Sequence, residues 1–589
     1  MSYLSHHHRS RAPLGRVGAT VLATALAATA VALTGAPAEA TPTSATTLTV
    51  NAAQNLRPVT HVGTGSLYGL ANATTPADSV VQALKPNTFV QMAPGGSQLP
   101  NGEPAPAGDA LVVAPKAAAA GAKVVVRMPD WYPNFPYQWV SWSNWLTAVD
   151  QQVASVKSSG ATNIGAYELW NEPDWTWDTA NAGAFDAGWA RTFKEVRAKD
   201  ATTPIQGPSY SAWNQSWMTT FLTDAKASGT VPDVIAWHEL QGSSGIAAHV
   251  AAYRSLESSL GISPRPIAIE EYGTPTEMGD SGALIGYAAK FERAGVRDAE
   301  LAFWNHYGTL GDTLTDTGGS PNGSYWSYKW YGAMSGTMLT TTPPAQTGID
   351  GLASLNSAGN QISVIAGGCT GSCAVTVNGL SSLSAYGSTV HVKLEYSPDT
   401  GRTTASPGPI TVSDTDYAVS NGSITVPVTM NAADGYHLTI TPSGTSTSLA
   451  GRYQITNKNS GLALDTLNAA NAQGTSVVQA TSTTGTDQNW TLVAAGQGLY
   501  KIVNQKSGLL LGITNAGTAN GGTALIWGDN GTADHLWQVV PARDGYDKIA
   551  NYNSGLLLGV DQMSTTSGAQ VLQWSDNGTA DHLWKLTSR

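Results

Sequence analysis

The sequence predicts an α/β chain: a (β/α)8 barrel of the TIM type, then a β-sandwich, then a C-terminal β-trefoil. Three observations carry that expectation. Between residues 60 and 343, eight apolar strand segments alternate with helical patterns. From 346 to 442, short alternating runs are broken by Gly, Ser and Asp clusters. From 450 onward, one pattern recurs every 47 residues.

The barrel strands are read at 61–70, 88–92, 123–128, 165–170, 203–208, 234–238, 266–271 and 300–305, with helical patterns such as 139–156, 187–198 and 282–294 between them. Strands joined by helices pair in parallel, and such barrels carry their chemistry at the strand C-termini. This domain is placed at 41–343. The runs 361–365, 374–377, 389–396 and 423–428 read as strands of a sandwich over 344–442. The opening run 47–50 precedes the first barrel strand and is free to add a strand to that sandwich. Residues 443–449, Ser-Gly-Thr-Ser-Thr-Ser-Leu, read as a flexible linker.

In the tail, 450–589, Trp490, Trp537 and Trp584 keep one phase. So do Asn457, Asn504 and Asn551, Gly461, Gly508 and Gly555, and Ile455, Ile502 and Ile549. A short β unit cannot bury a core alone, whereas three together close a threefold trefoil.

At 589 residues the chain is too long for one core. Only 12% of residues are charged and the formal net charge is −11, which argues against a nucleic-acid partner, whose phosphates need Lys and Arg. Nineteen Trp and 21 Tyr outnumber seven Phe; flat rings with a polar edge suit stacking on sugars. Arg9, Arg11 and Arg16, the small apolar run 17–34 and Ala38-Glu39-Ala40 read as an export signal over 1–40. No later stretch is long and apolar enough to span a bilayer. Cys369 and Cys373 lack further metal ligands nearby, so they are read as a local disulfide closing a hairpin between 362–365 and 374–377. Neither a metal nor a cofactor is implied.

Two carboxylates stand out. Tyr-Glu-Leu-Trp-Asn-Glu-Pro at 167–173 places Glu172 after a strand, and Pro-Ile-Ala-Ile-Glu-Glu-Tyr-Gly at 266–273 places Glu271 after another. Glycosidic cleavage needs one carboxyl to protonate the leaving oxygen and one to attack or to activate water. Glu270 competes with Glu271: strand alternation sends the two to opposite faces, so that Glu270 would be salt-bridged toward a helix. His238 could bond the nucleophile or a sugar hydroxyl, or be a satisfied structural histidine. Arg127 and Glu168, on neighbouring strands, read as a buried structural pair. Asp130, Trp131 and Tyr132 begin the loop after the third strand and are read as cleft lining, and Trp304, Asn305 and His306 end the eighth strand.

Asn-Glu-Pro after a fourth barrel strand resembles the acid/base motif of clan A glycoside hydrolases. The resemblance implies that Glu172 is the acid/base, that Asn171 bonds the sugar 2-hydroxyl, and that Glu271, before the aromatic Tyr272, is the nucleophile of a retaining reaction. Trp304 then suits an aromatic platform, with Asn305, Trp131 and Tyr272 beside the substrate. A barrel followed by a sandwich resembles glycoside hydrolase family 39, over roughly 45–442, with families 30 and 5 as competing assignments. Many xylosidases of family 39 carry Asn where Gly273 stands here, and the first strand, His-Val-Gly-Thr-Gly-Ser-Leu-Tyr-Gly-Leu, matches no xylosidase motif. Actinobacterial-type members that resemble this arrangement include enzymes releasing α-L-arabinofuranose-linked units from arabinogalactan side chains, so the resemblance implies that substrate, with β-xylosidase, endo-glycanase and a catalytically inactive binding protein as alternatives. The tail resembles ricin-type lectin repeats, also called carbohydrate-binding module family 13. Its sugar-site residues are split: Asp465 and Gln488 with Ala480 in the first repeat, Trp527 and His535 with Gly512 in the second, Trp574 and His582 with Gly559 in the third. A polysaccharide partner outside the cell is the resulting expectation.

Overall fold

The computed structural model describes residues 46–96, 108–302, 309–310, 313–443, 449–496, 499–542 and 545–589. The export segment, Trp304, Asn305, His306 and residues 444–448 of the linker lie outside the described residues. Among the described residues no helix is long and apolar enough to cross a membrane.

A first strand, β1 (Thr47–Pro58), leads into eight barrel strands: β2 (Gly65–Leu67), β3 (Thr88–Met92), β4 (Lys123–Arg127), β5 (Ile164–Glu168), β6 (Ile205–Tyr210), β7 (Val234–Glu239), β8 (Ile267–Tyr272) and β9 (Asp298–Leu301). They pair in parallel and β9 closes on β2. Between and after them run α1 (Asp78–Ala83), α2 (Ala110–Ala119), α3 (Trp142–Ser159), α4 (Pro173–Thr176), α5 (Thr179–Ala182), α6 (Phe185–Lys199), α7 (Gln215–Ser228), α8 (Ile246–Ser259), α9 (Ser281–Ala294) and α10 (Gly323–Ala333). Side-chain oxygens of Ser141, Asn214 and Asp280 take backbone N–H groups at the starts of α3, α7 and α9. Gly160, Gly229 and Gly295 end the same helices in the left-handed conformation.

Alternation along the strands sorts the side chains. Val124, Val126, Ile235 and Ile267 face the helices, while Val90, Val125 and Ala166, and then Val234, Ala236 and Ala268, fill the axis. Two residues beyond Val125, Ala236 and Ala268 stand Arg127, His238 and Glu270, which continue the inward line at the C-terminal end.

The sandwich strands are β10 (Thr337–Thr342), β11 (Asp350–Leu355), β12 (Ile362–Gly367), β13 (Gly371–Asn378), β14 (Thr389–Ser397), β15 (Ile410–Ala418), β16 (Ile424–Met430) and β17 (Gly435–Pro442). They form one sheet in the order β15-β14-β17-β12-β11-β10-β1-β13-β16, folded over its own core. β1 joins it as expected, antiparallel to β10 and parallel to β13. Both β1 and β10 fall inside the 41–343 span expected for the barrel, so the sandwich brackets the barrel in sequence. Cys369 and Cys373 are bonded, but the expected hairpin is not there. β12 pairs with β11 and β17, and β13 pairs with β1 and β16. The disulfide instead braces a connection between strands that are not neighbours.

Helix α9 seats the barrel on the sandwich. A Cβ at Gly282 would lie 1.7 Å from the Ala432 carbonyl oxygen, so only glycine permits this approach. Lys290 and Arg293 on α9 bond Asp350 of β11 at 2.9 and 2.7 Å.

In the tail the periodic residues do what their spacing predicts. Trp490, Trp537 and Trp584 are fully buried and donate Nε1–H to the carbonyls of Leu464, Leu511 and Leu558 at 3.0, 2.9 and 2.8 Å. Asn457, Asn504 and Asn551 donate Nδ2–H to the carbonyls of Asp581, Asp487 and Asp534, tying each repeat to the one before and closing the circle.

Candidate active site

Trp170-Asn171-Glu172-Pro173 follows β5. The Trp170 indole donates to Thr176 Oγ1 at 2.9 Å, and that hydroxyl reaches the carbonyls of Asn171 and Glu172 at 2.6 and 2.9 Å. Glu172 sits at φ 53°, ψ 52°, a left-handed conformation that a non-glycine residue rarely holds, and Pro173 opens α4 directly after it. Its amide donates to the Ser209 carbonyl at 2.8 Å, so β6 fixes the turn. Asn171 is buried, and its Oδ1 has no partner among the described residues.

Three groups converge at the mouth. His238 Nδ1 lies 3.2 Å from Glu172 Oε1, and its Nε2 lies 3.9 Å from Glu271 Oε1. One ligand atom from each of Glu172, His238 and Glu271 lies within 4.8 Å of the other two. Arg127 Nη1 donates to Glu271 Oε1 at 2.7 Å while its Nε donates to Glu168 at 2.8 Å. The Arg127–Glu168 pair is thus real, and Arg127 also orients the proposed nucleophile. Trp175 Nε1 donates to Glu172 Oε2 at 2.9 Å from a half-exposed ring.

Burial opposes the charge on His238, but the carboxylates of Glu271 and Glu172 outweigh it and hold its pKa above the usual 6.5. Burial pushes the Glu168 carboxyl well above the carboxylate range despite Arg127. Burial likewise raises Asp130 to about 6, although Arg127 and the hydroxyls of Tyr68 and Tyr137 pull it down. Those hydroxyls donate to it at 2.6 and 2.9 Å.

Several expectations are corrected by the backbone. Glu270 does not face a helix. An extra residue in β8 shifts the register against both neighbours, between Ile269 and Tyr272. This bulge lets consecutive carboxylates turn inward. Glu270 lies deep in the barrel, accepting from Gln206 at 2.6 Å, with Glu271 nearer the mouth. The same bulge turns Tyr272 outward. It is fully buried, bonds Gly63 O and Tyr328 Oη at 2.6 Å, and lines no cleft. Trp131 stands at the rim of an open cleft of about 570 Å3 with Gly95 and Asp109.

Of the residues expected to bind sugar in the tail, Trp527 and Trp574, 36% and 41% exposed, present a face to solvent. Asp465 and Gln488 are buried and bond each other at 2.9 Å. His535 and His582 are buried as well. A Cβ at Gly512 or Gly559 would lie 2.3 or 2.2 Å from their Cδ2 atoms. Each ring therefore occupies the space that the Asp465 side chain fills in the first repeat. The substitutions are coupled packing, and none of these four side chains forms a sugar-facing surface.

Sequence reasoning missed Trp175 and the Arg127–Glu271 bond. The first was legible in principle, because Trp175 lies one helical turn after Glu172; the second joins strands far apart in sequence.

Comparison with known proteins agrees with this geometry. A ricin-type β-trefoil lectin domain-like family matches residues 430–527 and 533–589. A 3-O-α-D-galactosyl-α-L-arabinofuranosidase of Bifidobacterium longum subsp. longum is 27% identical over 453 residues, covering 64% of this chain and 39% of its own. A 3-O-β-L-arabinopyranosyl-α-L-arabinofuranosidase of Bifidobacterium pseudocatenulatum is 27% identical over 471 residues, covering 67% and 47%. The chain spans less than half the length of these two relatives. The solved structure of N2152 from Neocallimastix frontalis is 35% identical with a TM-score of 0.64, covering 68% of this chain and 100% of its own. The chain thus belongs to the same family as N2152, and its C-terminal part matches the ricin-type β-trefoil lectin domain-like family.

Proposed function

We propose that this chain is a secreted, retaining glycoside hydrolase that releases α-L-arabinofuranose-linked units from arabinogalactan side chains. The observation that carries the reading is the convergence of Glu172, His238 and Glu271 within 4.8 Å. Retention calls for carboxyls about 5–5.5 Å apart, whereas inversion needs about 6.5–9.5 Å to admit a water.

In the first step a Glu271 oxygen attacks the anomeric carbon as Glu172 gives its proton to the departing glycosidic oxygen. The glycosidic bond breaks and a glycosyl ester forms on Glu271. In the second, the Glu172 carboxylate takes a proton from water, the water oxygen attacks the anomeric carbon, and the ester bond breaks to restore Glu271. Arg127 holds the attacking carboxylate, and the unpartnered Asn171 Oδ1 accepts from a sugar hydroxyl. The names of the two bifidobacterial relatives support an arabinofuranosidic linkage. The basic start, small apolar run and Ala38-Glu39-Ala40 support export.

Incubation with gum arabic, larch arabinogalactan and xylan, with chromatographic analysis, tests the substrate. Arabinose-containing products are expected from the first two; xylose from xylan alone would sink this substrate class. Glu172→Ala should keep slow turnover on substrates with good leaving groups and recover with azide. If that variant behaves like wild type, the acid is another residue.

A further inference from the structure

The N-terminal mouth of the barrel, opposite the carboxylate pair, opens on a cavity of about 610 Å3. Arg57, His61, Lys85, Lys123 and Arg297 all line it, against one carboxylate, Asp298, among the described residues. The chain has 30 Lys and Arg against 41 Asp and Glu, so this concentration runs against its composition.

The two arginines are already held. Arg57 bonds Glu292 and the Val296 carbonyl at 2.7 and 2.8 Å, and Arg297 bonds Asp298 at 2.7 Å. Lys85 and Lys123 are exposed and make no ion pair among the described residues, so two positive charges remain uncompensated. Lys85 ends α1 in a left-handed conformation, φ 44°, with its carbonyl held by Thr64 Oγ1 at 3.0 Å. That is a costly backbone state for a lysine. His61 also has a positive φ, 53°. Burial lowers its pKa, the Met334 carbonyl opposes that, and Lys85 adds to the lowering.

We propose that this mouth binds an oxyanion through Lys85 and Lys123, either a free phosphate-like ion or the carboxylate of an acidic sugar. The volume lies in the usual range of small-molecule sites, about 300–1,000 Å3, so it admits a ligand larger than a bare ion. A bound anion would favour the protonated His61 ring and raise its pKa.

Isothermal titration of the full chain with phosphate and, separately, with digalacturonate, at matched ionic strength in chloride, tests this. The same titrations are run on a Lys85→Gln, Lys123→Gln double variant whose melting temperature in chloride matches wild type. Saturable binding of at least one anion is expected, weakened on the order of tenfold or more in the double variant, as loss of charge-assisted hydrogen bonds implies. The His61 resonance, assigned with His61→Gln, should titrate at higher pH when the anion is bound. Binding of digalacturonate alone identifies an acidic sugar, and binding of phosphate alone a free ion. No binding of either, or equal affinity in the double variant, overturns the proposal.

Discussion

The chemistry at the mouth depends on which atoms a few side chains present. Trp175 Nε1 donates to Glu172 Oε2, and this bond strengthens as the carboxyl gives up its proton and becomes negative, toward the about 1.5–3 kcal/mol of a hydrogen bond to a charged group. Trp175→Phe keeps the ring and loses the donor, so kcat should fall about tenfold or more with KM changed far less. Steady-state kinetics on an aryl glycoside reads that split, and an unchanged kcat would leave Trp175 as wall only. His238 is the second case. Its pKa is raised in the fold, so the stabilisation it supplies is complete below about 6.5 and is lost as pH rises through the higher folded value. Melting of wild type and His238→Gln should therefore differ more at pH 5.5 than at pH 8.5. The opposite trend would mean that the imidazole is neutral between the carboxylates.

Among the elements, β8 decides most. Alternation read from the sequence allows one of Glu270 and Glu271 to face the barrel; the bulge delivers both and turns Tyr272 away. Helix α9 carries the other element-scale test. Asp350 answers Lys290 and Arg293 across the barrel–sandwich contact, and both it and Lys290 are buried. Asp350→Ala leaves a buried cation unpaired and should destabilise by about 3–5 kcal/mol in denaturant unfolding. In the trefoil, Gly512→Asp forces a side chain into the His535 ring and should cost about 1–3 kcal/mol. Adding His535→Gln rebuilds the Asp465–Gln488 arrangement of the first repeat and should recover most of that loss. A merely additive double-mutant cycle would refute the coupling.

At the scale of the whole molecule, the sandwich links both ends. It accepts β1 before the barrel begins, takes α9 on one side, and shares Val540 of the trefoil in its own core. The trefoil also packs on the sandwich at its third repeat: Gly555 lies so near Thr429 that a Cβ there would come within 2.4 Å of it. Trp527 and Trp574 remain the exposed platforms of the tail. Trp527→Ala with Trp574→Ala should reduce retardation on arabinogalactan in affinity electrophoresis while leaving turnover of a small aryl glycoside unchanged. Unaltered retardation would assign any polysaccharide affinity to another face.

Period and local chemistry determined much of this protein by themselves. The alternation of strands and helices yielded the barrel, the 47-residue spacing yielded the trefoil with its three buried tryptophans, and Trp-Asn-Glu-Pro yielded Glu172. These signals are written in neighbouring residues or in a repeat. What only the tertiary structure decided was the pairing of distant strands and the direction of individual side chains. A bulge adds a residue without leaving a mark in the hydrophobic pattern, so Glu270 and Tyr272 were turned the wrong way. Likewise the buried histidines of the tail look like ligands until the glycines opposite them are brought into contact.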